Sequence, residues 1–166
     1  MPNARSYQSR LKSIKLLLLD VDGVMTDGGV YYGESGEELK KFNVKDGHGL
    51  VHLQKRGIRV GILTGRFSRL VEKRAHELGI TEVYQNLENK AEAYEAVKVR
   101  LALQDKEIAY IGDDEPDLPV IGRVGFSAAP ANAVSGVRRA VDYVCRHGGG
   151  EGAVREVVDL ILKGRK

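Results

Sequence analysis

Cysteine occurs once in the 166 residues, at Cys145, so no intrachain disulfide framework can form and the chain suits a reducing compartment. Long apolar runs are also missing. The run nearest the N-terminus, Leu16 to Leu19, is far too short to span a bilayer. Residues 1–13 are polar and mildly basic, without the apolar centre of a signal peptide. A cytoplasmic protein outside the membrane is expected. Charge of one sign does not accumulate either. Twenty-six Lys and Arg stand against 23 Asp and Glu, a formal net charge of +3, and the bases are scattered among the acids. With no basic block and no aromatic ladder, no nucleic-acid face is expected. The four histidines offer one pair at helical spacing, His48 and His52, without further ligands nearby, so no zinc site is expected. Repeats, low-complexity segments and an interdomain linker do not occur.

What remains is an ordinary globular composition, 42% hydrophobic and 30% charged, long enough for one domain over 1–166 with a real core. The apolar run Ile14 to Val21 reads as a buried strand. Two short strand-like runs, Val30 to Tyr32 and Glu38 to Phe42, flank Gly33-Glu34-Ser35-Gly36 and predict a β-hairpin. Asp46 is placed to cap a helix ending at Arg56, with Gly57 as its stop, and Ser68 to cap one ending at Leu78, with Gly79 as its stop. Further strands are expected at Arg59 to Leu63, Val83 to Gln85, Ile108 to Ile111, Val124 to Ala128 and Val141 to Val144. Further helices are expected at Lys90 to Leu103, Leu118 to Ile121, Asn132 to Ala140 and Gly152 to Leu162. Strands alternating with helices imply an α/β fold, a three-layer α/β/α sandwich around a Rossmann-like parallel sheet.

Four segments carry the chemistry. Asp20-Val21-Asp22-Gly23 follows the first strand, Leu63-Thr64-Gly65-Arg66 closes the second, Lys90 opens a helix, and Gly112-Asp113-Asp114-Glu115-Pro116-Asp117 follows a later strand. In an open parallel sheet such junctions gather at the carboxyl edge, where ligands bind. Asp20 is positioned to attack phosphorus and form an aspartyl-phosphate. Asp22, two residues on, shares the pocket if the backbone stays extended, and suits a proton shuttle to the leaving alcohol. Magnesium (Mg2+) takes oxygen ligands, for which Asp20 and Asp113 serve, with the backbone carbonyl of Asp22 as a third. Asp114 and Asp117 would orient ligand waters or neighbouring cations. Two carboxylates 4 Å apart repel by about 4 kcal/mol at an effective dielectric of 20, so the cluster needs a divalent ion and Lys90 to balance it. Thr64 and Lys90 are suitable donors to the phosphoryl oxygens. Each piece alone has a plain alternative, a turn or a helix cap. Together, in this order and at strand ends, they point to phosphoryl transfer.

This pattern resembles the haloacid dehalogenase superfamily of phosphatases, from Lys15 to Leu162. Segments 20–28, 36–47, 63–66 and 149–156 are more narrowly similar to the family of 3-deoxy-D-manno-octulosonate 8-phosphate (KDO 8-phosphate) phosphatases. Those enzymes make free KDO for lipopolysaccharide. The resemblance implies a fold without a cap domain, and a homotetramer in which hairpins like 28–43 assemble. It also implies that a neighbouring subunit and its C-terminal segment, here 146–166, help to close the site. Substrate contacts are implied at Asn43, Val44, Lys45, Asp46, Gly47, Arg66, Arg74 and Lys90. An arginine fork suits the carboxylate of a sugar acid. Arg146 and glycines 148–150 either bend over a neighbour's site or simply connect to the last helix. The sister family acting on 2-keto-3-deoxynononate 9-phosphate tends to carry an acid where Arg66 stands, which favours the octulosonate enzymes.

Two readings of another class remain beside this one. A receiver domain also has an acidic pocket, Thr and Lys, but carries its phospho-acceptor after the third strand, whereas here the second acidic cluster comes late. A non-catalytic assembly module would not need Asp20, Asp22, Thr64, Lys90 and Asp113 together.

Overall fold

A computed structural model describes residues 4–36 and 38–165. Residue 37, within the resemblance segment 36–47, lies outside the described residues, as do residues 1–3 and the last position. In chain order the elements are α1 (Ala4–Leu11), β1 (Leu16–Leu19), β2 (Tyr31–Tyr32), β3 (Glu38–Leu39), α2 (Val44–Lys55), β4 (Arg59–Leu63), α3 (Arg69–Glu77) and β5 (Glu82–Tyr84). They continue as α4 (Lys90–Arg100), β6 (Ile108–Ile111), α5 (Leu118–Ile121), β7 (Phe126–Ala129), α6 (Ser135–Ala140), β8 (Tyr143–Val144) and α7 (Ala153–Gly164).

Six strands form one parallel sheet in the order β5-β4-β1-β6-β7-β8. β1 lies inside it because Leu16, Leu17, Leu18 and Leu19 have no polar face to show to water, and all four are buried. Their alternation splits the core into two layers. Leu17 and Leu19 join a cluster with residues of α1, α2, α3 and α7, such as Leu11, Leu50, Val71 and Val157. Leu16 and Leu18 join one with residues of α4, α5 and α6, such as Tyr94, Val120 and Val137. The sandwich expected from the strand–helix alternation is therefore present, and no helix among the described residues is long and apolar enough to cross a membrane. From β1 the chain winds outward through β4 and β5, then returns to β6 on the other side. The crevice between the carboxyl ends of β1 and β6 is the topological switch point, where α/β sheets bind ligands.

Several boundaries differ from expectation for local reasons. Asn43, not Asp46, caps α2: its side chain accepts from the Lys45 N–H at 2.8 Å, and Asp46 sits buried in the first turn. The helix expected from Asn132 starts at Ser135, because the Asn132 side chain accepts from the Gly149 N–H instead of capping. α1 was not expected. Tyr7 and Leu11, one turn apart, bury its inner face, and the Tyr7 ring packs 5.4 Å from that of Phe126. The hairpin is minimal, pairing Tyr31 with Leu39 and Tyr32 with Glu38, and an isolated bridge joins Thr26 to Phe42 at its base.

The segment leading into α7 is organised by one carboxylate. Glu156 accepts from the Tyr143 hydroxyl at 2.6 Å and from the Arg146 N–H at 3.1 Å, and lies 2.7 Å from His147 Nδ1. Burial works to raise its pKa, but the bonds from Tyr143, His147 and Arg146 outweigh it and hold the group down at about 2, against 4.5. A depressed acid contributes stability that is complete above the unfolded value and is lost as pH falls through the folded one. Glu156→Gln is expected to cost about 1–3 kcal/mol at neutral pH. The difference from the parent should shrink between pH 4.5 and about 2, as read by denaturant melts across that range. A constant difference would show that charge is not the cause.

Candidate active site

Asp20 is the first residue past β1. Its N–H donates to the carbonyl of Ile111, the last residue of β6, at 3.0 Å, so the β1–β6 ladder runs one step beyond β1 and ties the acid-bearing ends of the two strands together. The chain then turns at Gly23, with φ +86°, where a Cβ would collide with the Asp113 carboxylate; only glycine lets the two loops meet. Thr64, past β4, is buried and held by its N–H to the Tyr84 carbonyl at 3.0 Å. Lys90 is the first residue of α4, whose cap is Asn89. Asp20, Thr64, Lys90 and Asp113, together with Asp22, Arg66, Asp114 and Asp117, line one cavity of 280 Å³.

The charges in that cavity are tightly interlocked. Lys90 Nζ lies 3.0 Å from Asp20 Oδ1 and 2.7 Å from Asp117 Oδ1. Burial opposes the ammonium, but Asp20 and Asp117 outweigh it and the net shift of Lys90 is upward, so it stays charged. Asp117 Oδ1 also accepts from the Tyr110 hydroxyl at 2.6 Å, while Oδ2 accepts from the N–H groups of Asp113 at 2.9 Å and Asp114 at 3.2 Å. A carboxylate offers about four lone-pair sites, and here all are taken, which makes Asp117 an organiser of the site. Asp114 caps the following turn by accepting from the Glu115 N–H at 2.8 Å.

Asp20, Asp113 and Asp117 bring carboxylate oxygens within 4.8 Å of one another. Three acids against one lysine leave two negative charges uncompensated. Burial pushes the Asp20 carboxyl up to about 6, with Lys90 pulling back and Asp117 adding to the rise. Burial, Asp20 and Asp117 push Asp113 up to about 8. Asp113 Oδ1 is buried without a hydrogen-bond partner. A buried, unpartnered acceptor in a cluster short of two positive charges fits a divalent cation with oxygen ligands.

Asp22 lines the same cavity but is held by cations of its own. Its carboxylate pairs with Lys40 Nζ at 2.5 Å and lies 3.8 Å from Arg66. Arg66 in turn donates to Glu38 Oε1 at 2.8 Å. Lys40 and Glu38 were not foreseen at the site, although their spacing held a signal: at i and i+2 on a strand, both face the same way. Tyr110 was also missed, since a tyrosine inside an apolar strand reads as core.

The remaining expected substrate residues are not brought to this cavity by the single chain. Asn43, Val44, Lys45, Asp46 and Gly47 open α2, and Arg74 comes from α3. Asp46 is turned inward and accepts from the Arg155 N–H at 2.8 Å. The Arg74 guanidinium packs against Gly47, lies 5.8 Å from the Phe42 ring centre, and reaches the Asn43 carbonyl at 3.4 Å. Val44 is 79% exposed. Glycines 148–150 lie under their own chain's catalytic turn. The Gly150 N–H donates to the Val24 carbonyl at 3.0 Å, Asn43 Nδ2 donates to the Gly150 carbonyl at 3.0 Å, and a Cβ at Gly149 would collide with the Gly23 carbonyl.

A pocket with this charge balance, at the switch point of a parallel sheet, defines a phosphoryl-transfer class. Comparison with known proteins agrees: residues 48–125 match the family model described as haloacid dehalogenase-like hydrolase. The chain is 48% identical over 161 residues to the 3-deoxy-D-manno-octulosonate 8-phosphate phosphatase KdsC of Escherichia coli K12, covering 97% of this chain and 86% of that one. The crystal structure of the Yersinia pestis phosphatase of the same name superposes with a TM-score of 0.94 at 48% identity, covering 96% and 86% of the two chains. The Moraxella catarrhalis phosphatase, solved in complex with magnesium, phosphate and KDO, superposes with a TM-score of 0.96 at 40% identity, covering 98% and 94%. The chain belongs to the KDO 8-phosphate phosphatase family of haloacid dehalogenase-like hydrolases.

Proposed function

We propose that this protein is a magnesium-dependent phosphatase that converts KDO 8-phosphate to KDO and inorganic phosphate, a step in lipopolysaccharide precursor synthesis. The observation that carries the reading is the Asp20 carboxylate, held by Lys90 beside the unpartnered Asp113 oxygen at the floor of one cavity. Family membership supplies the substrate class. Arg66 stands where the nine-carbon sister family tends to carry an acid, which favours the eight-carbon acid over 2-keto-3-deoxynononate 9-phosphate.

Asp20 attacks phosphorus, the bond from phosphorus to the sugar oxygen breaks, and Asp22 gives that oxygen a proton. A water then attacks the aspartyl-phosphate while Asp22 takes its proton, returning Asp20 as a carboxylate. Lys90 and Thr64 donate to the equatorial phosphoryl oxygens, where charge is spread in the transition state. Asp20, Asp113 and the Asp22 carbonyl would hold magnesium, which supplies the positive charge the acids require. Phosphate release from KDO 8-phosphate, the nine-carbon acid phosphate and simple sugar phosphates, compared by kcat/KM with magnesium and after chelation, tests the reading. A strong, metal-dependent preference for KDO 8-phosphate is expected. Turnover that survives thorough chelation would remove the metal from the account.

A homotetramer is part of the same proposal. Val30, Tyr31, Tyr32 and Leu39 expose apolar surface on a two-stranded hairpin too small to be stable by itself, which supports assembly through residues 28–43. Assembly would place the α2 entrance, Arg74 and the 146–166 segment near a neighbouring site. The double variant Tyr32→Lys, Leu39→Lys is expected to sediment as a smaller species. A tetramer that persists moves the interface elsewhere.

A further inference from the structure

The hairpin has an unusual distribution of side chains. Tyr31 and Leu39, paired on one face, are 44% and 60% exposed, while the Lys40 side chain, on the face of Glu38, points inward and is only 2% exposed. An apolar face toward solvent and a buried ammonium toward the protein is the reverse of what a surface hairpin needs for its own solubility. The buried end of Lys40 meets Asp22 at 2.5 Å and Glu38 at 3.4 Å, and Glu38 binds Arg66 at 2.8 Å. Four alternating charges thus join the hairpin to the turn that carries Asp22 and to the loop after β4.

Among the described residues, Asp22 has no other cation this near. Arg66 stands 3.8 Å away and is 43% exposed, its fork turned to Glu38. The turn after Asp20 is otherwise pinned through its backbone and Thr26, whose hydroxyl accepts from the Gly23 N–H at 3.3 Å. Nothing in that framework fixes the Asp22 carboxyl itself.

We propose that Lys40 is a positioning residue that orients the Asp22 carboxyl toward the leaving oxygen, so that seating of the hairpin completes the proton-transfer geometry. The inference rests on the reading of Asp22 as the proton shuttle. It makes the hairpin part of the chemistry as well as an assembly surface, and it gives Glu38 a role in setting the directions of both Lys40 and Arg66.

Leaving-group dependence separates positioning of an acid from a general structural role. An alkoxide departing from a sugar phosphate needs the proton, whereas a nitrophenolate leaves without it. The value of kcat/KM covers the steps up to that departure, so its ratio between the two substrates reports the acid alone. General acid catalysis contributes about 10²–10⁴-fold, and a misdirected acid should forfeit about 10–100-fold of it. Lys40→Met, with Lys40→Gln as a second variant should the first not fold, is expected to lower kcat/KM for KDO 8-phosphate by that much more than for p-nitrophenyl phosphate. Lys40→Arg, which keeps the charge, should restore most of the ratio. Equal losses on both substrates in a folded variant, or a rise in KM alone, would overturn the proposal. Asp22→Asn is measured alongside. If that variant shows no leaving-group dependence, the reading of Asp22 has failed, and Lys40 has lost its object.

Discussion

Asp20→Asn leaves a folded protein whose turnover of KDO 8-phosphate falls by at least ~10⁴-fold, the scale seen when a nucleophile is removed. A carboxamide does not attack phosphorus, and neither Asp117 nor Asp22 is free to replace it. The Asp117 oxygens are occupied by Lys90, Tyr110 and two backbone N–H groups, and Asp22 faces Lys40. The fold survives because Asn is isosteric and Lys90 keeps Asp117 as a partner. Without metal the variant should in fact melt no lower than the parent. Asp20 is raised to about 6 from 3.8, so its ionisation burdens the folded state. That cost is absent below the unfolded value, enters as pH rises, and is fully present above the folded one. At neutral pH the variant escapes it. Phosphate release together with thermal melts in chelator checks both halves. Near-normal turnover would remove Asp20 as nucleophile, and a collapsed fold would mean that its charge is structural.

Lys90→Met is expected to be the most costly substitution for stability. Its side chain is 5% exposed, and it stands between Asp20 and an Asp117 that is 1% exposed. Breaking a buried pair by removing one partner costs about 3–5 kcal/mol, because the other charge stays behind without compensation. Two carboxylates are stranded here. Activity should fall as well, by about 10²–10³-fold, since a donor to the developing phosphoryl charge is lost. The two effects can be pulled apart. Adding Asp117→Asn to Lys90→Met removes one stranded charge and should recover part of the stability, while activity stays low. Urea melts at neutral pH and steady-state kinetics on both variants read this directly. A single variant within about 1 kcal/mol of the parent would place Lys90 among ordinary surface lysines.

The main parts of the sheet could be read from residues alone where one physical signal dominated. Leu16 to Leu19 and Ile108 to Ile111 are continuous apolar runs, and a run without a polar face has to be an interior strand. The acids, hydroxyl and lysine of the site were found because each follows or opens such an element, and the parallel topology carries those junctions to one edge. Features that depend on contacts far apart in the chain were not found. α1 has mostly polar residues, and only its packing beside α7 makes Tyr7 and Leu11 a buried face. Asp46 looked like a cap, but the Asn43 side chain reached Lys45 first, and Asp46 was drawn inward to the start of α7. Lys40 read as one of many solvated lysines, since nothing local says that its strand will fold back over Asp22. The glycines at 148–150 read equally as a reach over a neighbour's site or as a plain connector, and their need for glycine appears only against Gly23.

The most direct measurement is a rapid acid quench of the protein during turnover of KDO 8-phosphate with magnesium, followed by mapping of any protein-bound phosphoryl group. The account predicts one acid-stable, base-labile phosphoryl group per chain, on Asp20, formed only with metal present and absent from Asp20→Asn. Phosphate released at full rate with no phosphoryl group on the protein, or with one on a different residue, would contradict it.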